Sequence, residues 1–110
     1  MKLEEGMYVR TKNGMKIGKI VKIHKAINHK SWYELKNGLR IYSYEEINEP
    51  NYSIIDLIEV GDYVNGFPVI HKENDILKCG LLVQFKENEI KSIVTKEQFE
   101  SMSYKVGGND

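Results

Sequence analysis

Basic and aromatic side chains are interleaved in the first half of this sequence, and together they could bind a polyanion. From Arg10 to Arg40 there are nine lysine and arginine residues and a single acidic residue, Glu34. Cations can neutralise phosphates, and aromatic residues two apart on a strand share a face on which bases can stack. The predicted partner-binding residues are Arg10, Lys12, Lys16, Lys19, Lys22, Lys25, Lys30, Trp32, Tyr33, Arg40, Tyr42 and Tyr44.

Two alternatives for this set stay open on the sequence alone. The basic residues could form an ordinary solvated sheet face, and Trp32 with one of the tyrosines could fill the core. With a strict period of two, Lys16 and Lys22 point to one face of their strand and Lys19 and Lys25 to the other. Such a pattern spreads the charge around the strand and does not gather it into one row.

Other kinds of chemistry find little support in the residue types and their spacing. The histidines His24, His29 and His71 are scattered, without the close spacing typical of metal ligands. The sequence contains no nucleophile turn and no glycine-rich phosphate loop. Cys79 lies in an apolar run and is predicted to be a small buried side chain. We therefore expect a protein that is not an enzyme and that uses no metal or cofactor.

The net charge is zero overall but is unevenly divided along the chain. Residues 1–50 hold ten basic and six acidic residues, a net charge of +4, and residues 51–110 hold six basic and ten acidic residues, a net charge of −4. Such asymmetry can mark a surface that binds nucleic acid or another polyanion. No apolar run approaches the ~18–20 residues that cross a bilayer. With one cysteine and no signal segment, we expect a cytoplasmic protein that does not associate with membranes.

The first half is predicted to consist of short strands joined by tight turns. Residues 7–12 form the first predicted strand, and Asn13-Gly14 is typical of a type I′ turn, which needs positive φ at both central residues. The second predicted strand covers residues 15–25, and its apolar residues change phase, which we ascribe to a bulge or a sharp bend at Gly18. Four or five such strands indicate a small closed or half-closed barrel.

The second half is predicted to add further strands and a helix. Pro68 restricts its strand to a sheet edge or a bulge, and residues 76–85 read as one strand, bent at Gly80. Thr95 with Gln98 three residues later is a capping box. It predicts a helix over residues 96–102.

That helix is expected to contact the core through two side chains. Phe99 and Met102 are three residues apart, so they lie on one helix face. We expect this face to pack inward.

A short motif recurs once along the chain. Residues 4–9 (E-E-G-M-Y-V) and 59–64 (E-V-G-D-Y-V) share Glu, Gly, Tyr and Val at an offset of 55 residues. In both copies we expect the glycine to join a loop to a strand that begins with Tyr-Val. We interpret the shared motif as scaffold and the difference between the halves as the better lead to function.

The first half also resembles a known kind of module. Residues 6–23, G-M-Y-V-R-T-K-N-G-M-K-I-G-K-I-V-K-I, are similar to the opening of SH3-like barrels of the KOW and Tudor kind. In those barrels a glycine precedes a strand, a turn follows, and the second strand reads G-x-I-x-x-I. The resemblance implies a module that binds nucleic acid or protein.

The second half has a different resemblance. D-L-I-E-V-G-D-Y-V-N-G, followed later by I-K-S-I-V-T-K-E-Q-F-E-S-M-S-Y-K-V, is similar to small uncharacterised proteins of phages and prophages of low-GC Gram-positive bacteria, and the match covers residues 54–106. The resemblance implies a small phage protein of the sort found among inhibitors of host defence, such as anti-CRISPR proteins. Many of those are strongly acidic mimics of nucleic acid. A neutral chain would instead use its basic half against a guide RNA, DNA or an acidic protein patch.

These observations predict a mainly β (α+β) fold made of two small β units, the first an SH3-like barrel and the second a β sheet with one short C-terminal helix. The units are placed at residues 1–48 and 54–106, with a linker at 49–53 and a disordered tail at 107–110. The expected function is inhibition of a host defence system by binding a Cas-type effector protein or ribonucleoprotein, with RNA or DNA as further candidate partners. The alternatives are an SH3-like nucleic-acid-binding module and a small virion or assembly protein. The expected oligomeric state is a monomer or a homodimer.

Overall fold

The first half of the chain forms one antiparallel sheet. The computed structural model describes residues 2–25 and 31–102. In the first half, strands that are consecutive in sequence are also neighbours in the sheet. The sheet forms a half-barrel. Its strands, in order, are β1 (Tyr8–Arg10), β2 (Ile17–His24), β3 (Trp32–Leu35) and β4 (Arg40–Tyr42).

The second half contains two small sheets and one α-helix. The first sheet has the order β10-β5-β6, from β5 (Tyr63–Val64), β6 (Phe67–Pro68) and β10 (Ile93–Val94). The other consists of β7 (His71–Glu73), β8 (Ile76–Lys78) and β9 (Gln84–Lys86). Two 3-10 helices, Ile54–Leu57 and Glu87–Glu89, and the helix α1 (Lys96–Met102) complete the described elements. The mainly β class with one short C-terminal helix is confirmed, but the second half has two sheets where one was predicted.

The phase change in β2 arises at Val21 and not at Gly18. Ile20 pairs with Leu35, whereas Lys22 already pairs with the next residue along β3, so Val21 is the extra residue of a bulge. Gly18 has a different role, because a Cβ added there would lie 3.3 Å from Leu35 Cδ1. The glycine thus lets the Leu35 side chain lie close against the backbone of β2.

The bulge determines which side chains of β2 share a face. Ile20 and Ile23 both pack in the core of the first half. Lys19 pairs with Tyr8 before the bulge, and Lys22 lies in the register after it, so both lysines lie on the opposite face. The prediction that Lys19 and Lys22 point to different faces is therefore wrong, since a period of two does not continue through a bulge.

Two clusters of buried side chains form the core, one on each face of the pair β1–β2. The first-half cluster is centred on Val9, Ile20, Leu35 and Ile41. The larger cluster is formed by the second half, yet Ile17 of β2 belongs to it and Tyr8 of β1 packs against it. Halves of this size would bury too little surface to be stable alone. Here they share β1 and β2, whose alternate residues enter different clusters.

The segment predicted as a linker is tied to this strand pair. Tyr8 and Asn51 exchange two backbone hydrogen bonds of 2.7 and 3.1 Å, and Pro50 is buried. An isolated bridge between Thr11 and Ile47 lies close by. Residues 47–51 therefore run along the free edge of β1 and cover it.

The three Asn-Gly turns differ in backbone conformation. At Asn65-Gly66 both residues have positive φ, 53° and 86°, as a type I′ turn requires. At Asn13-Gly14 and Asn37-Gly38 only the glycine has positive φ. There the asparagine Oδ1 accepts the backbone N–H two residues on, of Met15 and Leu39, at 3.0 Å in both cases. The type I′ prediction for Asn13-Gly14 is therefore wrong, and an Asx turn takes its place.

The predicted bent strand over residues 76–85 is in fact a hairpin. β8 and β9 pair antiparallel, and the Cys79 N–H donates to the Val83 carbonyl at 2.8 Å to close the turn. Leu81 and Leu82 form the tip and are fully exposed. The turn could not be predicted, because the apolar sequence around Leu81 and Leu82 contains none of the polar residues that usually mark a turn. The prediction for Pro68 is confirmed, because β6 lies at the edge of its sheet.

The helix covers the predicted residues 96–102, and it begins at its capping box. Gln98 N–H donates to Thr95 Oγ1 at 3.0 Å, and Thr95 N–H donates to Gln98 Oε1 at 2.9 Å, so the capping box is present. Phe99 and Met102 are exposed, so the prediction that they face the core is wrong. The Phe99 ring instead stacks on Tyr63 at 4.6 Å between centroids, at the surface of the second half.

Candidate nucleic-acid interface

The solvent-facing side of β2–β4 brings together much of the predicted basic and aromatic set. Strand pairing places His24 opposite Trp32, and Trp32 opposite Tyr42. A second cross-strand row next to it runs from Lys22 to Glu34 and Arg40. We call this surface the outer face, and it consists of Lys22, His24, Trp32, Glu34, Arg40 and Tyr42.

Trp32 lies at the centre of the outer face and is contacted from both neighbouring strands. The His24 and Trp32 rings stack with centroids 3.7 Å apart and an angle of 4° between their planes. The Arg40 guanidinium carbon lies 4.6 Å from the Trp32 centroid, a cation–π contact. The alternative that Trp32 fills the core is therefore wrong. These contacts hold the indole in one orientation and bring a cation beside it.

Tyr42 and Tyr44 extend the aromatic row to the edge of the sheet. Their rings are parallel within 1°, with centroids 5.8 Å apart. The two side chains are 38% and 80% exposed, so Tyr44 offers a ring to solvent. Lys16 Nζ lies 5.6 Å from the Tyr42 centroid. This pair has the exposure and geometry for stacking against a base.

Carboxylates lie close to two of the nitrogen groups around the outer face. Lys16 Nζ pairs with Glu45 at 3.0 Å, and His24 Nε2 lies 3.1 Å from Glu34 Oε1. Lys22 and Arg40 form no ion pair with any residue in the described part of the chain. These two cations are the ones available to phosphates on the outer face.

Arg10 is a correction to the predicted set, because it is buried between the halves with 1% of its surface exposed. It forms ion pairs with the fully buried Asp62 and with Glu97 Oε1 at 2.9 Å, and it donates to the Leu57 carbonyl at 3.0 Å. Burial by itself would lower the pKa of Arg10. The hydrogen bond and charge of Asp62, with the charges of Glu59 and Glu97, raise it above its usual value. Arg10 therefore stabilises the junction and cannot contact a partner.

Asp62 is the residue of this network that the sequence did not single out. Its carboxylate accepts the backbone N–H groups of Glu59 at 2.7 Å and of Lys96 at 2.9 Å, in addition to the Arg10 guanidinium. It thereby joins β1, the loop before β5 and the start of α1. An acidic residue between Gly61 and a strand carries no local signal of such a role.

Tyr33 is the second correction. It neighbours Trp32 in sequence and so lies on the other side of β3, where it packs against the first-half core. The alternative that one tyrosine of the set fills the core is thus confirmed for Tyr33. It does not contribute to the outer face.

The remaining predicted lysines lie around the outer face and beyond it. Lys12 and Lys25 are exposed. Lys19 Nζ lies 6.0 Å from the centroid of the Tyr8 ring. Tyr8 packs against the core of the second half, so Lys19 lies at the border between the two halves. Lys30 is outside the described residues.

Residues 2–25 and 31–102 show neither a metal site nor a reactive cysteine. No group of three or more His, Cys, Asp or Glu side chains lies together as metal ligands would. Cys79 is buried, as predicted, and burial raises the pKa of its thiol, which makes the reactive thiolate scarcer. Within the same residues no helix has the length and apolar character to cross a bilayer.

Known proteins offer no assignment for this arrangement. No protein-family model matches the chain, and no curated protein or solved structure is significantly similar to it. The SH3-like and phage-protein resemblances therefore stay predictions, and the outer face is the main guide to function.

Proposed function

We propose that this chain is a non-enzymatic phage accessory protein of the host cytoplasm that inhibits a defence system by binding a Cas-type ribonucleoprotein through its outer face. The observation that carries the proposal is the row in which His24 and Arg40 contact Trp32, and which continues into Tyr42 and Tyr44. The phage context rests on the resemblance of residues 54–106. The choice of a nucleic-acid-containing partner rests on the chemistry of the outer face.

The proposed binding mode uses stacking and phosphate neutralisation together. A base stacks on the exposed Tyr44 ring, which is supported from below by Tyr42. Stacking of this kind contributes about 1–3 kcal/mol per base and tolerates any sequence. Lys22 and Arg40 have no ion partner among the described residues and lie in the adjacent row, where they can neutralise phosphates.

The charge of the two halves supports one orientation of the partner. The first fifty residues have a net charge of +4 and the rest of the chain a net charge of −4. A polyanion is therefore attracted to the first half and repelled by the second. In the proposed complex the first half contacts the guide RNA, and the acidic half points away from it or toward a basic protein surface.

The test compares guide-loaded effectors of low-GC Gram-positive hosts with the same effectors lacking RNA. We expect the wild-type protein to bind the loaded form and to restore plating of a targeted phage. Lys22→Ala/Arg40→Ala should weaken binding and reduce the log–log salt slope by about 2. Lys78→Ala/Lys86→Ala, which removes two charges from the sheet of β7–β9, should have no effect. Wild-type protein that binds no effector and restores no plating would contradict the proposal.

A second candidate function is that of a stand-alone SH3-like module for single-stranded nucleic acid. The exposed Tyr42–Tyr44 pair favours it, because a stacking platform needs no protein partner. Contacts of Lys22 and Arg40 with two phosphates would give a log–log salt slope of about −1.4 on single-stranded nucleic acid. Tyr44→Ala should weaken binding of a short RNA, whereas Tyr52→Ala, which alters an exposed tyrosine that is not part of the Tyr42–Tyr44 pair, should not. Salt-independent binding, or no binding, would exclude this function.

A further inference from the structure

A cleft of about 370 Å³ lies where the second half meets the first sheet. Its lining combines the apolar residues Ile17, Ile54, Ile90 and Ile93 and the aromatic Tyr8 with polar and charged residues, Asn37, Glu87, Lys91 and Ser92. Pockets that bind small molecules begin at about 300 Å³ and combine apolar walls with a few polar groups. The cleft has the size and lining of such a pocket.

The cleft continues into a depression that opens toward the outer face. The depression has a volume of about 250 Å³, shares Tyr8, Gly18 and Asn37 with the cleft, and is completed by Lys19 and Lys36. Lys19 is in β2 and Lys36 directly follows β3, and the two are neighbours, since the Lys36 N–H donates to the Lys19 carbonyl at 2.9 Å. Lys19 lies on the same face of β2 as the outer-face cations, beyond the Val21 bulge. The positive surface therefore leads into the apolar cleft.

Three lysines around the cleft and the depression have no acidic partner among the described residues. Lys19, Lys36 and Lys91, which also lines the cleft, form no ion pair with another residue of the described chain. Glu87 is the acidic residue in the lining, and its carboxylate accepts a hydrogen bond from the Ser53 hydroxyl. An aromatic and apolar wall beside free cations suits a ligand with a flat ring and an anionic group.

We infer that this cleft binds a single nucleotide unit, with the base against Tyr8 and the isoleucines and the phosphate at Lys19 and Lys36. The ligand can be a free mononucleotide or one nucleotide of an RNA that is bound along the outer face, since both present the same ring and phosphate. Binding of a nucleotide within an RNA, the strand-bound form, rests on the proposed function, whereas binding of a free mononucleotide does not. The shared chemistry is a base and a phosphate joined through a ribose, and the experiment separates the two sources.

The experiment measures binding of AMP, UMP, adenosine, inorganic phosphate and a ten-nucleotide single-stranded RNA by calorimetry. We expect a monophosphate to bind more tightly than either adenosine or phosphate alone, because each of these fills only part of the site. Lys19→Ala/Lys36→Ala should weaken binding of the monophosphate by about tenfold, a typical loss when charged contacts to a ligand are removed. The control Lys78→Ala/Lys86→Ala has the same change in charge and should bind normally.

A second variant blocks the cleft without changing its charge. Ser92 is exposed in the lining, and Ser92→Phe should fill the cleft and reduce monophosphate binding to the level of phosphate alone. Its circular dichroism spectrum and thermal midpoint show whether the fold is kept. Lys19→Ala/Lys36→Ala tests the same site should Ser92→Phe fail to fold.

The outcomes distinguish this inference from the proposed function. If Ser92→Phe reduces binding of the nucleoside monophosphate to the level of phosphate alone, and the RNA does not bind, the cleft is supported as a site for free nucleotides and the result counts against the outer face. Weaker RNA binding by Ser92→Phe supports the strand-bound form. If the RNA binds and Ser92→Phe binds it equally well, while no monophosphate binds, the inference is overturned and the proposed function stands. Monophosphate binding that neither variant weakens also overturns it.

Discussion

The two halves of this chain begin in the same way and then differ. Gly6 and Gly61 both have positive φ, 94° and 101°, and each precedes a strand that starts with Tyr-Val. The valines of both strands are buried, at 1% and 0% exposure. After that point β1 joins a four-stranded sheet, whereas β5 joins strands of only two residues. The repeated motif thus fixes how a strand starts, and the residues after it determine what kind of sheet follows.

The halves also differ in what they expose. The first half presents cations and aromatic rings on the outer face. The second half presents Leu81 and Leu82 at a hairpin tip and a net charge of −4 over residues 51–110. Arg10 follows the first copy of the motif, Asp62 lies inside the second, and the two form an ion pair across the junction. Arg10 and Asp62 have no counterpart in the other copy of the motif, and their ion pair connects the two halves.

The largest expected effect comes from breaking that ion pair. Arg10→Ala leaves the Asp62 carboxylate buried without its charged partner, and loss of one member of a buried pair costs about 3–5 kcal/mol. Urea unfolding should show this as a lower free energy of unfolding. Lys12→Ala, a nearby exposed lysine, should change it by less than about 0.5 kcal/mol. Arg10→Met/Asp62→Leu should recover part of the loss, and an Arg10→Ala protein of wild-type stability would mean that the junction does not depend on this pair.

The two glycines of the motif provide a direct test of their equivalence. Gly6→Ala and Gly61→Ala each force a side chain into the left-handed region, at a cost of about 1–2 kcal/mol. The added Cβ would lie 3.7 Å from Tyr52 at position 6 and 3.3 Å from Lys96 at position 61. We expect similar losses, slightly larger for Gly61→Ala, in thermal or urea unfolding. A loss at only one position would show that the copies are not structurally equivalent.

A smaller effect is expected at the contact between α1 and the first half. The buried Thr95 hydroxyl caps the helix and donates to the Gly14 carbonyl at 2.6 Å. Thr95→Ala removes both bonds and should cost about 1 kcal/mol. Thr95→Ser keeps the hydroxyl and is the matched control. Equal unfolding free energies for the two variants would show that the hydroxyl contributes nothing to this contact.

The smallest expected effect is a pH dependence at the same junction. A hydrogen bond to Glu59 raises the pKa of Lys96 above its usual value of 10.5, although partial burial opposes this. The pair therefore stabilises the fold below that pH, and the contribution is lost as the pH rises through the higher value in the folded state. Because Lys96 and Glu59 are partly exposed, the effect should be below about 0.5 kcal/mol. NMR titration of Lys96 should show a lower pKa in Glu59→Gln, and an unchanged pKa would contradict the assignment.

Local signals in the sequence predicted local structure well. The Thr95–Gln98 capping box identified α1 because every group in it lies within four residues. The Asn13-Gly14 pair did predict a turn, but not its type, because the asparagine there does not take positive φ. The sequence did not predict whether Trp32 lies on the outer face or in the core. The alternation of side chains along a strand shows which residues share a face, but not which of the two faces is buried.

Features that depend on distant partners could not be read in this way. The burial of Arg10 depends on Asp62, 52 residues away. The bulge at Val21 depends on the register of β2 against β3. Leu81 and Leu82 continue an apolar run, so the pattern itself predicts a strand where the chain forms a turn. The cleft requires both halves, and no single segment indicates it.

The strand pair β1–β2 supplies alternate residues to both buried clusters, and this sharing affects how the protein unfolds. Loss of either cluster removes packing that the other needs, so we expect cooperative, all-or-none melting of the whole chain. Amide protons of Val9, Ile20 and Val64 should then exchange with solvent through the same global opening. A molecule of this kind gives a protease no half-folded form to cleave, even though neither half is large enough to persist by itself.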